Sequence, residues 1–316
     1  MNPFYLEYSD YLARLFPGRK MQKLTVNARF TCPNRDGSKG RGGCIYCNNE
    51  AFNPSFADSS LPVEEQLEKA KQFFGRKYPD MRYLAYFQAY TNTYGRSTDE
   101  LLSLYRRALA VDKVDGVIIG TRPDCVDETL LDRLAGIDGS DSRIIIEYGA
   151  ESSHDSTLVT INRGHTWADT VRTVEMTAAR GIETGVHLIL GLPGETEEMM
   201  LRTVDELNRL PVSTVKFHQM QVVEGTELAR RYRAGTLDLK VYEVDEYIDL
   251  CVKIVNRLRK DIAIERFTSQ SPDSMLIAPR WGLKNYIFVD RLKKKLRDAH
   301  DVTLTSNNTI KAARQF

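Results

Sequence analysis

The chain has 316 residues, of which 42% are hydrophobic and 28% charged, and its net charge is +1. That length supports one large α/β domain with a sizeable core, or two small ones. The near-zero balance gives no bulk attraction for a polyanion, so any contact with nucleic acid has to come from a local basic surface. No run of about 18 apolar residues offers a membrane span. The opening MNPFYLEYSDYLARLF has no basic stretch leading into an apolar one. A cytoplasmic protein is expected.

Five cysteines are present: Cys32, Cys44, Cys47, Cys125 and Cys251. An odd number without a secretory leader argues against a disulfide framework. Along the chain, β-branched apolar runs alternate with segments of helical period. Strands are expected over 23–30, 83–90, 116–120, 143–149, 184–190 and 215–222. Helices are expected over 63–74, 97–110, 127–135, 167–180, 195–209 and 227–234. Such alternation implies βα units and a parallel sheet, either curled into a barrel or open and doubly wound.

The loop after the first strand carries Cys32, Cys44 and Cys47, spaced C-x11-C-x2-C. Gly37, Gly40, Gly42 and Gly43 lie between the first two and let the backbone wrap closely around something compact. Three thiolates leave a structural zinc site one ligand short. They suit a [4Fe–4S] cluster with one open iron, and Arg35, Lys39 and Arg41 would offset its charge. A zinc site completed by a distant histidine is the alternative.

With Tyr46 directly before the last cysteine, this segment resembles the radical-SAM superfamily, whose usual motif is C-x3-C-x2-C. The stretch FTCPNRDG followed by GGCIYCN is similar to the YhcC/YtqA group, related in turn to the Elp3 and oxygen-independent coproporphyrinogen oxidase branches. The resemblance implies a partial (βα)6 TIM-like barrel of parallel strands. It also implies a [4Fe–4S] cluster on Cys32, Cys44 and Cys47, and S-adenosylmethionine as the second cofactor, with Tyr46 near its adenine.

Later strand ends are similar to the family in the same order. Gln88, Ala89 and Tyr90 occupy the position of a glycine-rich turn that meets the S-adenosylmethionine amino group, although the glycines are missing. Tyr90 and Tyr94 also suit simple aromatic packing. Next comes Thr121-Arg122-Pro123-Asp124, followed by Cys125, which reads as a structural thiol. Glu147 stands among isoleucines, where a carboxylate needs a reason to be buried. The resemblance assigns it to the ribose hydroxyls or the amino group of S-adenosylmethionine. Glu151 replaces the family's usual glutamine.

The resemblance also turns Arg163, in Asn162-Arg163-Gly164-His165, toward the carboxylate of S-adenosylmethionine or the substrate. His165 suits a capping role equally well. Gly191, Leu192 and Pro193 resemble the segment that lines the adenine, and Glu195 behind them suits a helix N-terminus. On the sixth strand Lys216, His218 and Met220 alternate onto one face. Lys216 and His218 are candidate catalytic groups if that face points inward rather than to solvent.

Beyond 222 a helix is expected over 241–260, a short strand over 262–267 and a basic helix over 283–299, with a polar, loosely held end from Asp301. The chain thus divides into an N-terminal segment 1–22, the barrel 23–260 and an extension 261–316 packed on it.

The implied activity is reductive cleavage of S-adenosylmethionine to a 5′-deoxyadenosyl radical, with a flavodoxin- or ferredoxin-like electron donor as partner. Basic residues at Arg14, Arg19, Lys20, Lys23, Arg29, Arg35, Lys39 and Arg41 are expected at the cluster end, with more at Arg291, Lys293, Lys294, Lys295 and Arg297. Together with the likeness to Elp3 they point to tRNA as substrate, at a wobble uridine. The alternatives are a small metabolite such as a tetrapyrrole, or a non-catalytic, zinc-stapled RNA-binding protein.

Overall fold

A computed structural model describes residues 2–49, 57–75, 78, 80–137 and 143–300, and the backbone of 301–313. The chain begins with β1 (Leu6–Glu7), α1 (Tyr8–Leu15) and β2 (Met21–Val26). Next come α2 (Val63–Gly75), β3 (Arg82–Phe87), α3 (Thr98–Leu109), β4 (Val114–Thr121), α4 (Glu128–Ala135) and β5 (Arg143–Glu151). They are followed by α5 (Asp155–Thr160), α6 (Trp167–Ala178), β6 (Glu183–Leu190), α7 (Glu197–Asn208) and β7 (Thr214–Gln219). The last part holds β8 (Val222–Val223), α8 (Glu227–Arg233), α9 (Val244–Arg257), β9 (Ala263–Arg266), β10 (Leu276–Ala278) and α10 (Asn285–Ala313).

Eight strands form one sheet in the order β1-β9-β7-β6-β5-β4-β3-β2, with every pairing parallel. It curls into a partial barrel. The near-continuous apolar sequence of β4 is what a parallel strand covered on both faces requires. Several of the helices between strands start on side-chain caps, as in the capping boxes Ser97–Glu100 and Thr166–Asp169.

Alternation along the strands sorts residues between two faces. Val186, Leu188, Leu190, Val215 and Phe217 join the large outer core under the helices. The inner face is layered. At the bottom, Leu84, Ile118 and Ile145 pack against Leu12 and Phe16 at α1, so α1 plugs the barrel. Above them, Lys23, Glu147, Lys216 and Glu265 form a buried ionic layer. The cysteine loop lies above that, at the C-terminal ends of the strands.

Several expectations shift. The first strand stops at Val26, because the Gln66 side chain takes both backbone groups of Asn27. The second stops at Phe87, short of Tyr90, whose φ is +64°. The strand expected over 215–222 is two: β7 stays in the barrel, while β8 pairs antiparallel with β10 outside it. The short strand expected over 262–267 becomes β9, and it enters the main sheet between β7 and β1. The backbone of α10 runs on to Ala313. The side chains beyond 300, expected to be polar and loosely held, lie outside the described residues. Among the described residues no helix is long and apolar enough to cross a membrane.

Candidate active site

A cavity of about 180 Å³ opens at the top of the barrel, and Cys32, Cys44 and Cys47 all line it. The turns after β4 and β5 hold the loop that carries them. Asn162 donates to the carbonyl of Gly43 at 2.7 Å, and Ile45 N–H donates to Ile161 at 3.1 Å. From inside the loop, Asn34 donates to the carbonyl of Asn162. Arg122 makes a two-pronged pair with Asp124, at 2.9 and 3.0 Å, and Asp124 also holds Lys39 of the loop. These two bonded cations outweigh burial and hold the Asp124 carboxyl down at about 2. Arg122 donates in addition to the carbonyl of Arg163 at 2.8 Å. Gly40 fits because a Cβ there would stand 2.2 Å from Asn34 Oδ1.

Polar groups surround the thiols. Arg163 Nη1 lies 3.6 Å from Cys44 Sγ, and Asn49 Nδ2 lies 3.4 Å from Cys47 Sγ. Arg163 is buried, its Nη2 donates to the carbonyl of Gly149 at 2.5 Å, and its Nε has no partner. Arg35 donates to the carbonyl of Cys47 at 3.1 Å. Two rim residues, Tyr90 and Glu151, hold left-handed backbone, at φ +64° and +69°. That conformation is costly for such side chains and collects at functional sites.

The donor set fits a three-cysteine [4Fe–4S] cluster. Four ligands on one zinc stand about 3.8 Å apart, given Zn–S near 2.3 Å. Among the described residues no three His, Cys, Asp or Glu side chains gather around a point that one ion could fill. The three thiols line one cavity, and three cysteines are the ligand number of a [4Fe–4S] cluster with one open iron. Arg163 and Arg35 stand where they offset the thiolate charge.

A second cavity of about 150 Å³ adjoins the first and shares Tyr46, Cys47, Gln88, Glu151 and His187 with it. His218, Met220 and Arg266 belong to this second space. Gln88, Ala89, Tyr90, Glu147 and Arg163 line the first.

Other expected site residues sit elsewhere. Gly191, Leu192 and Pro193 line neither cavity. Leu192 packs behind the wall with Ile45 and Ile189, against Tyr46. Lys216 also lines neither. Its Nζ lies 2.9 Å from both Glu147 and Glu265, and 3.0 Å from the Tyr86 hydroxyl, in the ionic layer beneath. Glu147 is already engaged on both oxygens: Lys23 at 2.7 Å on one, and Lys216 at 2.9 Å and His187 at 2.7 Å on the other. Burial alone would raise Glu147. Lys216, Lys23 and His187 outweigh it and hold the carboxyl well below its usual range.

The sequence reading missed His187, Glu265 and Arg266, and took Lys23 for a surface cation although it is mostly covered and doubly paired. Strand alternation, which put Lys216, His218 and Met220 on one face, puts His187, the neighbour of Lys216 on β6, on that same face. The basic residues are not one patch at the cluster end. Arg14, on α1, and Lys20, just before β2, lie at the plugged end. Arg19 pairs with Asp115, Lys293 with Glu7 and Lys295 with Asp249.

Comparison with known proteins agrees with this geometry. Residues 35–207 match the family model described as the Radical SAM superfamily, and 212–298 match the Radical_SAM C-terminal domain. Protein YhcC of Escherichia coli K12 is 35% identical over 264 residues, covering 84% of this chain and 83% of that one. The tRNA uridine(34) acetyltransferase of Methanocaldococcus infernus is 25% identical over 184 residues, 57% of this chain but 33% of that protein. The structure of Methanocaldococcus infernus Elp3 lacking its N-terminus superposes with a TM-score of 0.63 at 18% identity, over 88% of this chain and 63% of that one. The cysteine-lined mouth of this partial barrel therefore belongs to an enzyme of the radical SAM superfamily, in its YhcC/YtqA group, which works with a [4Fe–4S] cluster and S-adenosylmethionine.

Proposed function

We propose that this enzyme cleaves S-adenosylmethionine reductively and directs the resulting radical at a uridine side chain in tRNA, at the wobble position. The observation that carries the chemical part is the sharing of one cavity by Cys32, Cys44 and Cys47, with a second polar cavity directly against it. The tRNA part is supported by the similarity to the tRNA uridine(34) acetyltransferase.

Cys32, Cys44 and Cys47 would hold three irons of the cluster, and the fourth iron would take S-adenosylmethionine. Given one electron from a flavodoxin- or ferredoxin-like donor, these cofactors supply methionine and a 5′-deoxyadenosyl radical that can remove a hydrogen atom from an unactivated carbon. The protein's own part is charge, position and exclusion of water. Arg163 and Arg35 balance the thiolates. Tyr46, packed on Ile189 and Leu192, forms a wall common to both cavities. His187 donates Nε2–H to the Glu147 carboxylate, which fixes its tautomer and leaves Nδ1 as an acceptor. Burial and Lys216 hold His187 below its usual range, so it is neutral. The ionic layer and α1 close the floor against solvent.

The test is anaerobic reconstitution with iron and sulfide, then dithionite and S-adenosylmethionine. The expected products are 5′-deoxyadenosine and methionine, and Cys44→Ala abolishes both. For the substrate, nucleosides from tRNA of a deletion strain are compared with those of its parent. One modified wobble uridine should be missing and should return on incubation with the enzyme. Identical nucleoside profiles would remove tRNA and leave the small-metabolite reading, which the limited size of the second cavity favours.

A further inference from the structure

The register between β7 and β9 slips by one residue. Val215 faces Ile264, but Lys216 faces Arg266, which leaves Glu265 as a bulge. In regular strands two successive side chains point to opposite faces. Here the bulge aims both inward. Glu265 reaches down to Lys216 at 2.9 Å and to Lys23 at 2.5 Å. Arg266 borders the second cavity.

The two acquire unlike surroundings. Glu265 is matched by two ammonium groups. Arg266 takes part in no ion pair among the described residues. Among the described residues its hydrogen-bonding neighbour is the His218 ring, 3.2 Å from Nη2. Burial and this guanidinium hold His218 well below its usual range, so the ring is uncharged. Arg266 Nε is buried and without a partner, a loss that proteins seldom leave uncompensated. The carboxylate that lines this cavity, Glu151, is matched by Arg163 at 3.4 Å. The adjoining wall is already braced: Gln219 exchanges hydrogen bonds with the backbone of Ser269, and Ser271 donates to Gln221. The cavity therefore offers a fixed pocket with one unmatched positive charge.

We propose that the second cavity receives an anionic group of the substrate, a carboxylate or a phosphate, against Arg266 and beside His218. A guanidinium fork matches either group with two parallel bonds. The proposal rests on the reading of this molecule as a radical-SAM enzyme whose substrate enters the space beside the cofactors. It adds the chemistry by which that substrate is oriented.

The experiment is thermal unfolding of the reconstituted holoenzyme saturated with S-adenosylmethionine, at constant ionic strength. Malonate and inorganic phosphate are the probes, and chloride is the control. The expected result is a saturable rise of about 2 °C in the apparent midpoint with at least one probe. The rise is lost in Arg266→Gln and partly kept in Arg266→Lys. A response to malonate alone identifies a carboxylate, and one to phosphate alone a phosphate. No response, or an equal response in Arg266→Gln, overturns the proposal. So does a response that appears only without S-adenosylmethionine, because Arg266 would then hold that cofactor's own carboxylate. If Arg266→Gln does not fold, the probe response of Arg266→Lys against wild type decides, and an undiminished one counts against the site. Formation of 5′-deoxyadenosine by the wild type is scored separately, so failure of the enzymatic reading and failure of the anion site are distinct results.

Discussion

The guanidinium of Arg163 lies 3.6 Å from the Sγ of Cys44 and shares the cavity with all three cluster cysteines. A buried cation so close to a thiolate ligand stabilises the deprotonated, metal-bound form. Replacing such outer partners of a metal site commonly costs about 10–100-fold in affinity. Arg163→Met should fold and reconstitute, yet lose iron to a chelator by about that factor faster than the wild type. Iron retained against time in chelator measures it. Retention equal to wild type would leave Arg163 with no part in holding the cluster.

Glu147 anchors Lys23 and Lys216, and its side chain is only 2% exposed. Removing its charge leaves the two ammonium groups with Glu265 alone. Breaking a buried pair from one side typically costs about 3–5 kcal/mol, so Glu147→Gln should lower the melting midpoint by about 10 °C. The double change Glu147→Gln with Lys216→Met should be the more stable of the two, because it leaves the single pair Lys23–Glu265. A double variant as unstable as the sum of its parts would mean that the two residues act independently.

How far the sequence could be read follows from what each feature depends on. The cysteine loop and the six alternating strands were legible because spacing and period are local properties. Alternation put Lys216, His218 and Met220 on one face, but whether that face points inward, and how deep Lys216 sits, depends on where the sheet curls and what α1 fills. No local pattern carries that. Lys23 looked like one basic residue among many, and only the curl of the sheet brings it to Glu147 and Glu265. Arg266 was hidden for a different reason. Its direction is set by a register slip between β7 and β9, strands nearly fifty residues apart in the chain.

Asp124 gives the stability of the chain a defined acid dependence. Its bonds to Arg122 and Lys39 take the carboxyl from 3.8 when unfolded to about 2 when folded. A lowered folded value means stability that is fully present above the unfolded value and is lost as the pH falls through the folded one. The contribution is about 2 kcal/mol at neutral pH and fades between roughly pH 4 and pH 2. Urea unfolding of the cluster-free chain should therefore find Asp124→Asn less stable than wild type at pH 6, with the gap narrowing below about pH 4 and closing only below about pH 2. A gap that does not change over this range would mean that the Arg122 pair does not persist in solution.

Gly149 sits where β5 meets the cavity, and a methyl group there would stand 2.6 Å from Arg163 Nη2 and 2.7 Å from Glu151 Oε1. Both contacts are with the ends of long side chains, so the chain can accommodate Gly149→Ala by moving them. Overpacking of this kind costs about 1–3 kcal/mol. The expected damage is local: Arg163 loses its bond to the Gly149 carbonyl and its place beside Cys44. Gly149→Ala should therefore melt within a few degrees of wild type yet lose iron to a chelator as fast as Arg163→Met. The two changes combined should be no worse than either alone, because both remove the same contact. Additive loss in the double variant would mean that Gly149 supports the cluster by a route that does not pass through Arg163.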